Sequence, residues 1–213
     1  MNIYIIGAGG HAKVVIDIIL KRREFLNEEW DIKGILDDLY DPNLKKELFN
    51  IPVVGKICHV LELKNDDENY FVIAIGNNNI RSELSKKYPL KYCSIIHPTS
   101  VIGNDVKIGA GTVMMANSVV NSGSCIGKHN IINTAAIVDH DCFLGDHVHV
   151  SPNSAIAGGV KIGDRSWMGI GCCVIPGVSV GEDTIIGAGS VVLRDVPSNT
   201  KAFGNPCRGI ERV

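Results

Sequence analysis

The chain has 213 residues, 45% of them hydrophobic, and its 23 acidic and 21 basic side chains give a formal net charge of −2 at pH 7. This composition allows a packed core, and its charge balance excludes a broad basic surface for nucleic acid or anionic membranes. No apolar run reaches the ~18 residues of a membrane-spanning helix, and the first residues lack a signal-peptide pattern, so we expect a cytoplasmic protein.

The charged residues are distributed unevenly along the chain. Residues 1–95 carry 27 charged side chains, whereas residues 96–192 carry 11. Together with the patterns below, this asymmetry predicts an α/β domain over residues 1–92, a repeat domain over residues 93–196 and a C-terminal tail over residues 197–213. None of the seven cysteines forms a C-x-x-C pair, so we expect reduced thiols and no metal site.

The first ninety residues alternate short apolar runs with helical patterns. Strands are predicted at residues 3–6, 33–36 and 70–75, and helices at residues 13–23 and 80–88. Strands that alternate with helices indicate a small parallel sheet built from Rossmann-like βαβ units. In such sheets the carboxyl ends of the strands form the edge at which ligands bind.

Glycines and acidic residues follow the predicted strands at that edge. The segment 7–11 (GAGGH) follows the first strand, Asp37 and Asp38 follow the second, and residues 76–79 (GNNN) follow the third. A glycine-rich turn before a helix offers backbone N–H groups that suit a diphosphate. A nicotinamide dinucleotide is disfavoured because the chain continues into the repeat instead of a second mononucleotide-binding half. The alternative to a diphosphate site is that these glycines serve only a tight turn between the strand and the helix.

The second part of the chain keeps a strict six-residue period. Every sixth residue from position 96 to position 192 is Ile, Val, Leu or Met, 17 times in succession. A period of six fits neither a 3.6-residue helix nor an open sheet, but it fits short strands joined by tight corners, with each aliphatic side chain inside. The pattern predicts a left-handed parallel β-helix of hexapeptide repeats. A β-sandwich, the alternative, would not keep one phase over such a length.

Eight motifs in one order cover almost the whole chain and resemble the sugar acetyltransferases of the NeuD/PglD type. They are IGAGGHA (6–12), LDD (36–38), AIGNNNIR (74–81), IHPTSVI (96–102), NT (133–134), DHDC (139–142), GDHVHVSP (145–152) and GNPCR (204–208). The resemblance implies acetyl-CoA as co-substrate and no metal. It further implies a nucleotide-linked aminosugar or a sialic acid as acceptor, and homotrimers with active sites between adjacent subunits.

The resemblance also assigns residues to the site. His140 matches the family's general base, and Asp141 stands where a carboxylate raises the basicity of that histidine. His149 matches a histidine near the acetyl-CoA thioester, while Ile170 and Ala188 match positions along the pantetheine arm. The nucleotide-sugar site is implied at Gly9, Gly10, His11, Asp37, Asp38 and Gly76.

Three assignments are hypotheses from the residues themselves. Arg208, in the tail, is expected near the phosphates of the coenzyme. Asn133, one face of the repeat before His140, is expected to hydrogen-bond the substrate. Neighbours in a flat strand point to opposite faces, so His140 and Asp141 can pair only if the backbone bends there or the partner comes from another subunit. Asp139 is the rival candidate for the carboxylate that orients His140.

The predicted reaction is direct attack of a sugar amine on acetyl-CoA, with a histidine general base and no acyl-enzyme. The preferred acceptor is the amino group of a nucleotide-linked 4-amino-4,6-dideoxysugar, and the alternative is a sialic acid O-acetyltransferase. The sequence disfavours three other hypotheses: a thiol nucleophile at Cys142, a zinc lyase with histidine ligands, and a non-catalytic trimeric scaffold.

Overall fold

The protein, described here by a computed structural model over residues 1–212, divides into two compact units, Met1–Pro98 and Thr99–Val213. The sequence placed the boundary six residues earlier, after residue 92. The first unit extends further because strand β6 (Ile95–Ile96) contacts helix α1 (Gly10–Leu26), and the Arg22 guanidinium donates to the carbonyl of Ile96.

In the described part of the chain, none of the helices is both long and apolar enough to cross a bilayer.

The first unit is a five-stranded α/β layer. Its strand order is β3-β4-β2-β1-β5, and all neighbours are parallel except β3 and β4. The three predicted strands and two predicted helices are present, with ends that differ by up to three residues. The elements are β1 (Asn2–Ile6), α1, β2 (Asp31–Leu36), β3 (Glu47–Leu48), β4 (Ile51–Gly55), a 3-10 turn (Ile57–His59), α2 (Val60–Leu63), β5 (Asn69–Ile73) and α3 (Asn78–Lys87).

The core of this unit explains why the sheet is parallel. Ile3 and Ile5 of the interior strand β1 and Phe71 of β5 are fully buried, as are Ile16 and Ile19 on the inner side of α1. A strand that is covered on both faces reads as a continuous apolar run, which is the signature of parallel sheets in α/β proteins. Because β1 pairs in parallel with both β2 and β5, the carboxyl ends of these three strands lie at one edge.

The second unit is a left-handed parallel β-helix, as the six-residue period predicted. Sixteen strands of two residues each succeed one another at intervals of six, and each pairs with the strand 18 residues away. They are β7 (Val101–Ile102), β8 (Lys107–Ile108), β9 (Val113–Met114), β10 (Val119–Val120), β11 (Cys125–Ile126), β12 (Ile131–Ile132), β13 (Ile137–Val138), β14 (Phe143–Leu144), β15 (His149–Val150), β16 (Ala155–Ile156), β17 (Lys161–Ile162), β18 (Trp167–Met168), β19 (Cys173–Val174), β20 (Ser179–Val180), β21 (Ile185–Ile186) and β22 (Val191–Val192).

Three flat faces result from this succession. Face 1 contains β7, β10, β13, β16, β19 and β22; face 2 contains β8, β11, β14, β17 and β20; face 3 contains β9, β12, β15, β18 and β21. From β9 onward the second residue of each strand is buried inside the prism, whereas the first residues are partly or fully exposed except for Val113 and Ile131, which are also buried. Residues 18 apart in sequence are therefore neighbours on the same face.

Small hydroxyl residues fill the corners of the prism and satisfy its buried backbone. The Ser124 hydroxyl donates to the carbonyl of Asp139 (2.7 Å) and accepts the N–H of Cys142 (3.0 Å). Ser166 does the same with the carbonyl of Gly181 (2.6 Å) and the N–H of Thr184 (3.0 Å). Each hydroxyl thus links successive coils and leaves no buried polar group unpaired at these points.

The tail continues the β-helix instead of standing apart from it. Strand β23 (Thr200–Phe203) pairs in parallel with β21, and β24 (Arg208–Arg212) folds back on β23 in antiparallel register. The tail predicted over residues 197–213 therefore belongs, as far as it is described, to the second unit.

Candidate active site

A cavity of about 380 Å³ opens at the carboxyl ends of β1, β2 and β5. All six residues that the resemblance assigned to the nucleotide-sugar site line it. The lining comprises Gly7, Ala8, Gly9, Gly10, His11, Asp37, Asp38, Leu39, Ile57, Ala74, Ile75, Gly76, Ile80 and Leu84. The segments that follow three separate strands meet here because parallel strands end at the same edge of the sheet.

The glycines of the cavity serve two different purposes. Gly7 has φ +103°, and a Cβ at this residue would lie 2.7 Å from Cγ1 of Ile75, so the turn after β1 requires glycine. Gly9, Gly10 and Gly76 face open space, since a Cβ there would meet nothing within 4 Å. Helix α1 begins after Gly9 without a side-chain cap, so N–H groups of its first turn remain available for an anionic ligand.

The two acidic residues of the cavity hold its backbone. One carboxylate oxygen of Asp37 accepts the N–H of Ala8 (2.7 Å) and the other accepts the N–H of Leu39 (2.9 Å). Asp38 accepts the N–H of Ile57 (3.1 Å). Asp37 therefore connects the glycine-rich turn to the end of β2, whatever further contact it makes with a ligand.

A buried arginine lies behind the cavity, and the sequence reasoning did not single it out. Arg81 is 1% exposed and donates to the carbonyls of Ile75 (3.1 Å) and Gly76 (2.9 Å) and to Oδ1 of Asn78 (2.9 Å). Burial lowers its pKa to about 9. The guanidinium fixes the loop that follows β5, and an arginine one turn into a helix after a strand-end glycine was the signal available in the sequence.

His11 is held neutral in this surrounding. Burial lowers its pKa to about 4, and the charge of Arg81 adds to the effect. Its Nε2 atom is buried and has no hydrogen-bond partner among the described residues. At cellular pH His11 is thus a neutral imidazole in the wall of the cavity and not a cation that attracts phosphate by charge.

The second group of predicted residues lies at a corner of the β-helix between β13 and β14. Nδ1 of His140 is 2.8 Å from Oδ2 of Asp141, and both side chains are largely exposed. The adjacent side chains can meet because Asp141 has φ +57°, which turns the chain at the corner. Asp139 instead accepts the backbone N–H of His140 (2.8 Å) and the amide of Asn121 (2.8 Å). Of the two carboxylates, Asp141 is the partner of the His140 ring.

The pair leaves one ring nitrogen of His140 as a base. A carboxylate only accepts, so the proton lies on Nδ1 and the lone pair on Nε2. The pKa of His140 is raised from its ordinary value of 6.5, first by the hydrogen bond to Asp141 and then by the charge of Asp139. The ring lies over Gly158 in the next coil, where a Cβ would be 2.6 Å from both Cε1 and Nε2. Glycine at this position provides the space that the ring occupies.

His149 lies on face 3, where its ring contacts the side chains of Asn133 and Trp167. Its Nε2 is 3.0 Å from Nδ2 of Asn133, and its ring is stacked on that of Trp167 with centroids 5.8 Å apart and planes 7° from parallel. Trp167 is the residue 18 positions later, opposite His149 in the neighbouring strand β18. Asn133 was predicted to bind substrate; the structure places its amide against His149.

Comparison with known proteins assigns both units of the chain. Residues 2–88 match the model of the PglD N-terminal domain, and residues 159–194 match the bacterial transferase hexapeptide model of six repeats. UDP-N-acetylbacillosamine N-acetyltransferase of Bacillus subtilis is 35% identical over 122 residues. The matched segment covers 54% of this chain and about half, 51%, of that relative.

Two solved structures match along the full length. PerB from Caulobacter crescentus, in complex with CoA and GDP-perosamine, is 40% identical with a TM-score of 0.88, and the match covers 99% of this chain and 98% of PerB. The chain belongs to the PglD-type family of sugar acetyltransferases. Another member, the acetyltransferase domain of PglB from Neisseria gonorrhoeae in complex with acetyl coenzyme A, is 33% identical with a TM-score of 0.84 and coverage of 98% for both chains.

Membership in the PglD-type family confirms several predictions from the sequence. The family, the two-part fold, the acetyltransferase class and acetyl-CoA as the co-substrate are those that the motifs indicated. In residues 1–212 no group of three or more His, Cys, Asp or Glu side chains is arranged to hold a metal ion.

The remaining predicted residues of this acetyltransferase lie on the outside of the β-helix. Ile170 is 59% exposed, and its carbonyl accepts the N–H of Gly189, which places the exposed Ala188 beside it one coil later. Arg208 is exposed and pairs with Phe203 across the hairpin of the tail. Ile170 and Ala188 therefore share one corner of the prism, whereas Arg208 stands at its end.

The cysteine that lies two residues after His140 is not a nucleophile in this setting. Cys142 is 2% exposed, its thiol contacts the carbonyl of Ala157 (3.1 Å), and burial raises its pKa. It takes the place of the hydroxyl residues that link successive coils. A buried thiol with a raised pKa is not ionised at neutral pH and is inert toward acetyl-CoA.

Proposed function

We propose that the protein transfers the acetyl group of acetyl-CoA to the amino group of a nucleotide-linked 4-amino-4,6-dideoxysugar. The observation that carries the proposal is the full-length likeness to PerB, whose structure contains CoA and GDP-perosamine. The Bacillus relative, named for UDP-N-acetylbacillosamine, supports the same class of acceptor. The use of acetyl-CoA fits a place in the cytoplasm.

His140 acts as the general base in this proposal. Only the neutral amine of the sugar attacks a thioester, and Nε2 of His140 takes the proton that the amine loses as the new N–C bond forms. The C–S bond then breaks, and the CoA thiolate leaves and is protonated. Asp141 orients the imidazole and stabilises the imidazolium that forms, as the carboxylate does in other His–Asp pairs.

The coenzyme is assigned to the outer surface of the β-helix. His149 is placed at the acetyl thioester, where a neutral ring can donate a hydrogen bond to the carbonyl oxygen as it becomes an oxyanion. Ile170 and Ala188, adjacent at one corner, provide an apolar surface for the pantetheine arm. Arg208 is placed near the coenzyme phosphates.

The nucleotide part of the acceptor is assigned to the cavity of the first unit. Gly9, Gly10 and Gly76 leave its entrance open, and the first turn of α1 offers N–H groups to a diphosphate. Asp37 and Asp38 also line the cavity and carry oxygens for the ribose or base. His11, being neutral, serves as a hydrogen-bonding group.

A homotrimer with active sites between subunits completes the proposal. The outward residues of face 1 include no charged side chain: Val101, Val119, Ile137, Ala155, Cys173 and Val191. Val101 and Ile137 are 56% and 42% exposed. A flat, uncharged face that extends over six coils suits packing against copies of the chain.

The test is an acceptor panel. The protein is mixed with acetyl-CoA and, separately, with UDP- and GDP-linked 4-amino-4,6-dideoxysugars or free sialic acids, and thiol release is followed. Turnover with the nucleotide-linked aminosugars and none with sialic acids is expected. Turnover with sialic acids alone would establish the O-acetyltransferase alternative.

Replacement of His140 by Ala is expected to lower kcat by about 100- to 10,000-fold. An unchanged rate in this variant would refute the assignment of His140 as the general base.

A further inference from the structure

Two side chains of the neighbouring coils contact the His149 ring, one by a hydrogen bond and one by stacking. Nδ2 of Asn133, which follows β12, lies 3.0 Å from Nε2 of the ring. Trp167 of β18 covers one face of the ring with its indole, 7° from parallel. The indole is itself fixed, because its Nε1 donates to Oγ of Ser151 at 2.7 Å.

The orientation of the Asn133 amide determines the tautomer of His149. Oδ1 of Asn133 accepts the backbone N–H of Thr134 at 2.8 Å, so the other end of the amide, toward His149, is the NH2 group. An amide NH2 group only donates. Nε2 of His149 must therefore accept, and in the neutral ring the proton is on Nδ1.

We propose that Asn133 and Trp167 are positioning residues that hold His149 as a neutral imidazole with its proton on Nδ1 and its ring in one plane. The tautomer follows from the hydrogen bonds alone, whereas its effect on acetyl transfer rests on the proposed contact of His149 with acetyl-CoA. Neither residue touches the reacting atoms in this scheme. Asn133 sets which nitrogen donates, and Trp167 sets the direction in which it does so.

Histidine NMR tests the tautomer without any assay of activity. The full-length protein is labelled with 15N-histidine, and the ring signals of His149 are identified by their loss in His149→Gln. In the native protein, Nδ1 of His149 is expected to resonate as protonated and Nε2 as unprotonated. Asn133→Asp replaces the donor by a carboxylate that only accepts, so the proton is expected on Nε2. A native His149 protonated at Nε2, or an unchanged spectrum in Asn133→Asp, would overturn the proposal.

Kinetics test the consequence of the positioning. With an acceptor identified by the panel, Asn133→Ala and Trp167→Leu are expected to lower kcat/KM for acetyl-CoA by about 10- to 100-fold while KM for the acceptor stays within about twofold. Trp167→Phe is expected to recover most of the loss, because it restores a stacked ring. Phe25→Leu, a change of an exposed aromatic residue on α1, is the matched control and should behave as the native protein.

The two parts of the proposal fail in distinguishable ways. Absence of turnover with every acceptor would remove the proposed function and leave the NMR result on the tautomer intact. The second outcome is a native protein whose His149 carries its proton on Nδ1, together with unchanged kinetics in Asn133→Ala and Trp167→Leu. This outcome would show that the positioning of His149 has no role in acetyl transfer, and it would overturn the kinetic part of the proposal.

Discussion

At the scale of single residues, the His140–Asp141 pair depends on an unusual backbone conformation. Asp141 adopts φ +57° at a corner of the β-helix, and this turn lets two adjacent side chains form a 2.8 Å hydrogen bond. In an extended strand the same two side chains would have pointed to opposite sides. The corner thus makes a hydrogen-bonded His–Asp pair from sequence neighbours.

Asp141→Asn is expected to move the acidic limb of the pH–rate profile toward lower pH. The carboxylate raises the pKa of His140, so its removal lets the ring lose its proton at lower pH and makes it a weaker base. Asparagine tolerates the left-handed backbone at this position. The measurement is kcat/KM against pH for the native protein and the variant, with a drop of at least about tenfold in the plateau. The substrate amine titrates identically in both, so an unshifted limb would contradict the prediction.

Gly158→Ala is expected to reduce activity without unfolding the protein. The new methyl group would come within 2.6 Å of the His140 ring, which is the exposed end of a flexible side chain and can swing aside. Displacement of a general base by about 1 Å costs up to about 100-fold in kcat. Gly158 does not have a positive φ, so alanine fits the backbone, and the thermal midpoint should stay within about 2 °C. Full activity in this variant would contradict the placement of the ring.

At the scale of the strand and corner, the β-helix is held by hydroxyl groups as much as by its aliphatic column. Ser124 is fully buried, and its hydroxyl joins the carbonyl of Asp139 to the N–H of Cys142. Two coils and the backbone on both sides of His140 therefore depend on one oxygen atom. The small residues that recur in the repeat are there for this reason and not only because they fit.

Ser124→Ala is expected to lower the free energy of unfolding by about 1–3 kcal/mol. The substitution leaves a buried carbonyl and a buried N–H without the partner that the hydroxyl supplies. Chemical denaturation at equal protein concentration measures the change. Ser179→Ala, a substitution on the outward side of β20, serves as the matched control and should change the free energy of unfolding by less than about 0.5 kcal/mol. Equal effects in both variants would contradict the role of the hydroxyl.

At the scale of the whole molecule, two units of different construction supply different halves of the proposed reaction. The first unit offers an open, glycine-lined cavity of about 380 Å³, and the second offers a His–Asp pair and a stacked histidine on a rigid prism. The solved relatives cover both units, so the combination is a property of the family.

Ile137→Glu is expected to convert the proposed trimer to monomers. Ile137 lies outward in the middle of the uncharged face 1, and a charge buried between subunits without a partner costs several kcal/mol. Light scattering coupled to size-exclusion chromatography measures the mass, and turnover should fall with it if the site is shared between subunits. Lys161→Glu on face 2 is the control and should leave the mass unchanged. A native protein that is already monomeric would refute the trimer.

The fold could be predicted from the sequence because its signals are local and repeated. The six-residue aliphatic column fixed which residues lie inside, and every strand of the β-helix ends on a member of it. The three strand-end motifs were expected at one edge of a parallel sheet, and they do line one cavity. The elements missed in the first unit, β3, β4 and α2, lie in residues 47–63, where short apolar runs follow neither a two-residue nor a 3.6-residue period and local patterns carry little information.

The sequence by itself thus determined the two-part architecture, the family and the set of polar residues around the cavity, because periodicity and motif order are properties of the chain. Only the tertiary structure decided that Asp141 and not Asp139 orients the His140 ring, that Arg81 is buried behind the cavity, and that Trp167 and Asn133 enclose His149. These partnerships depend on left-handed corners, burial and the stacking of coils 18 residues apart. Such relations arise only when distant segments are brought into contact.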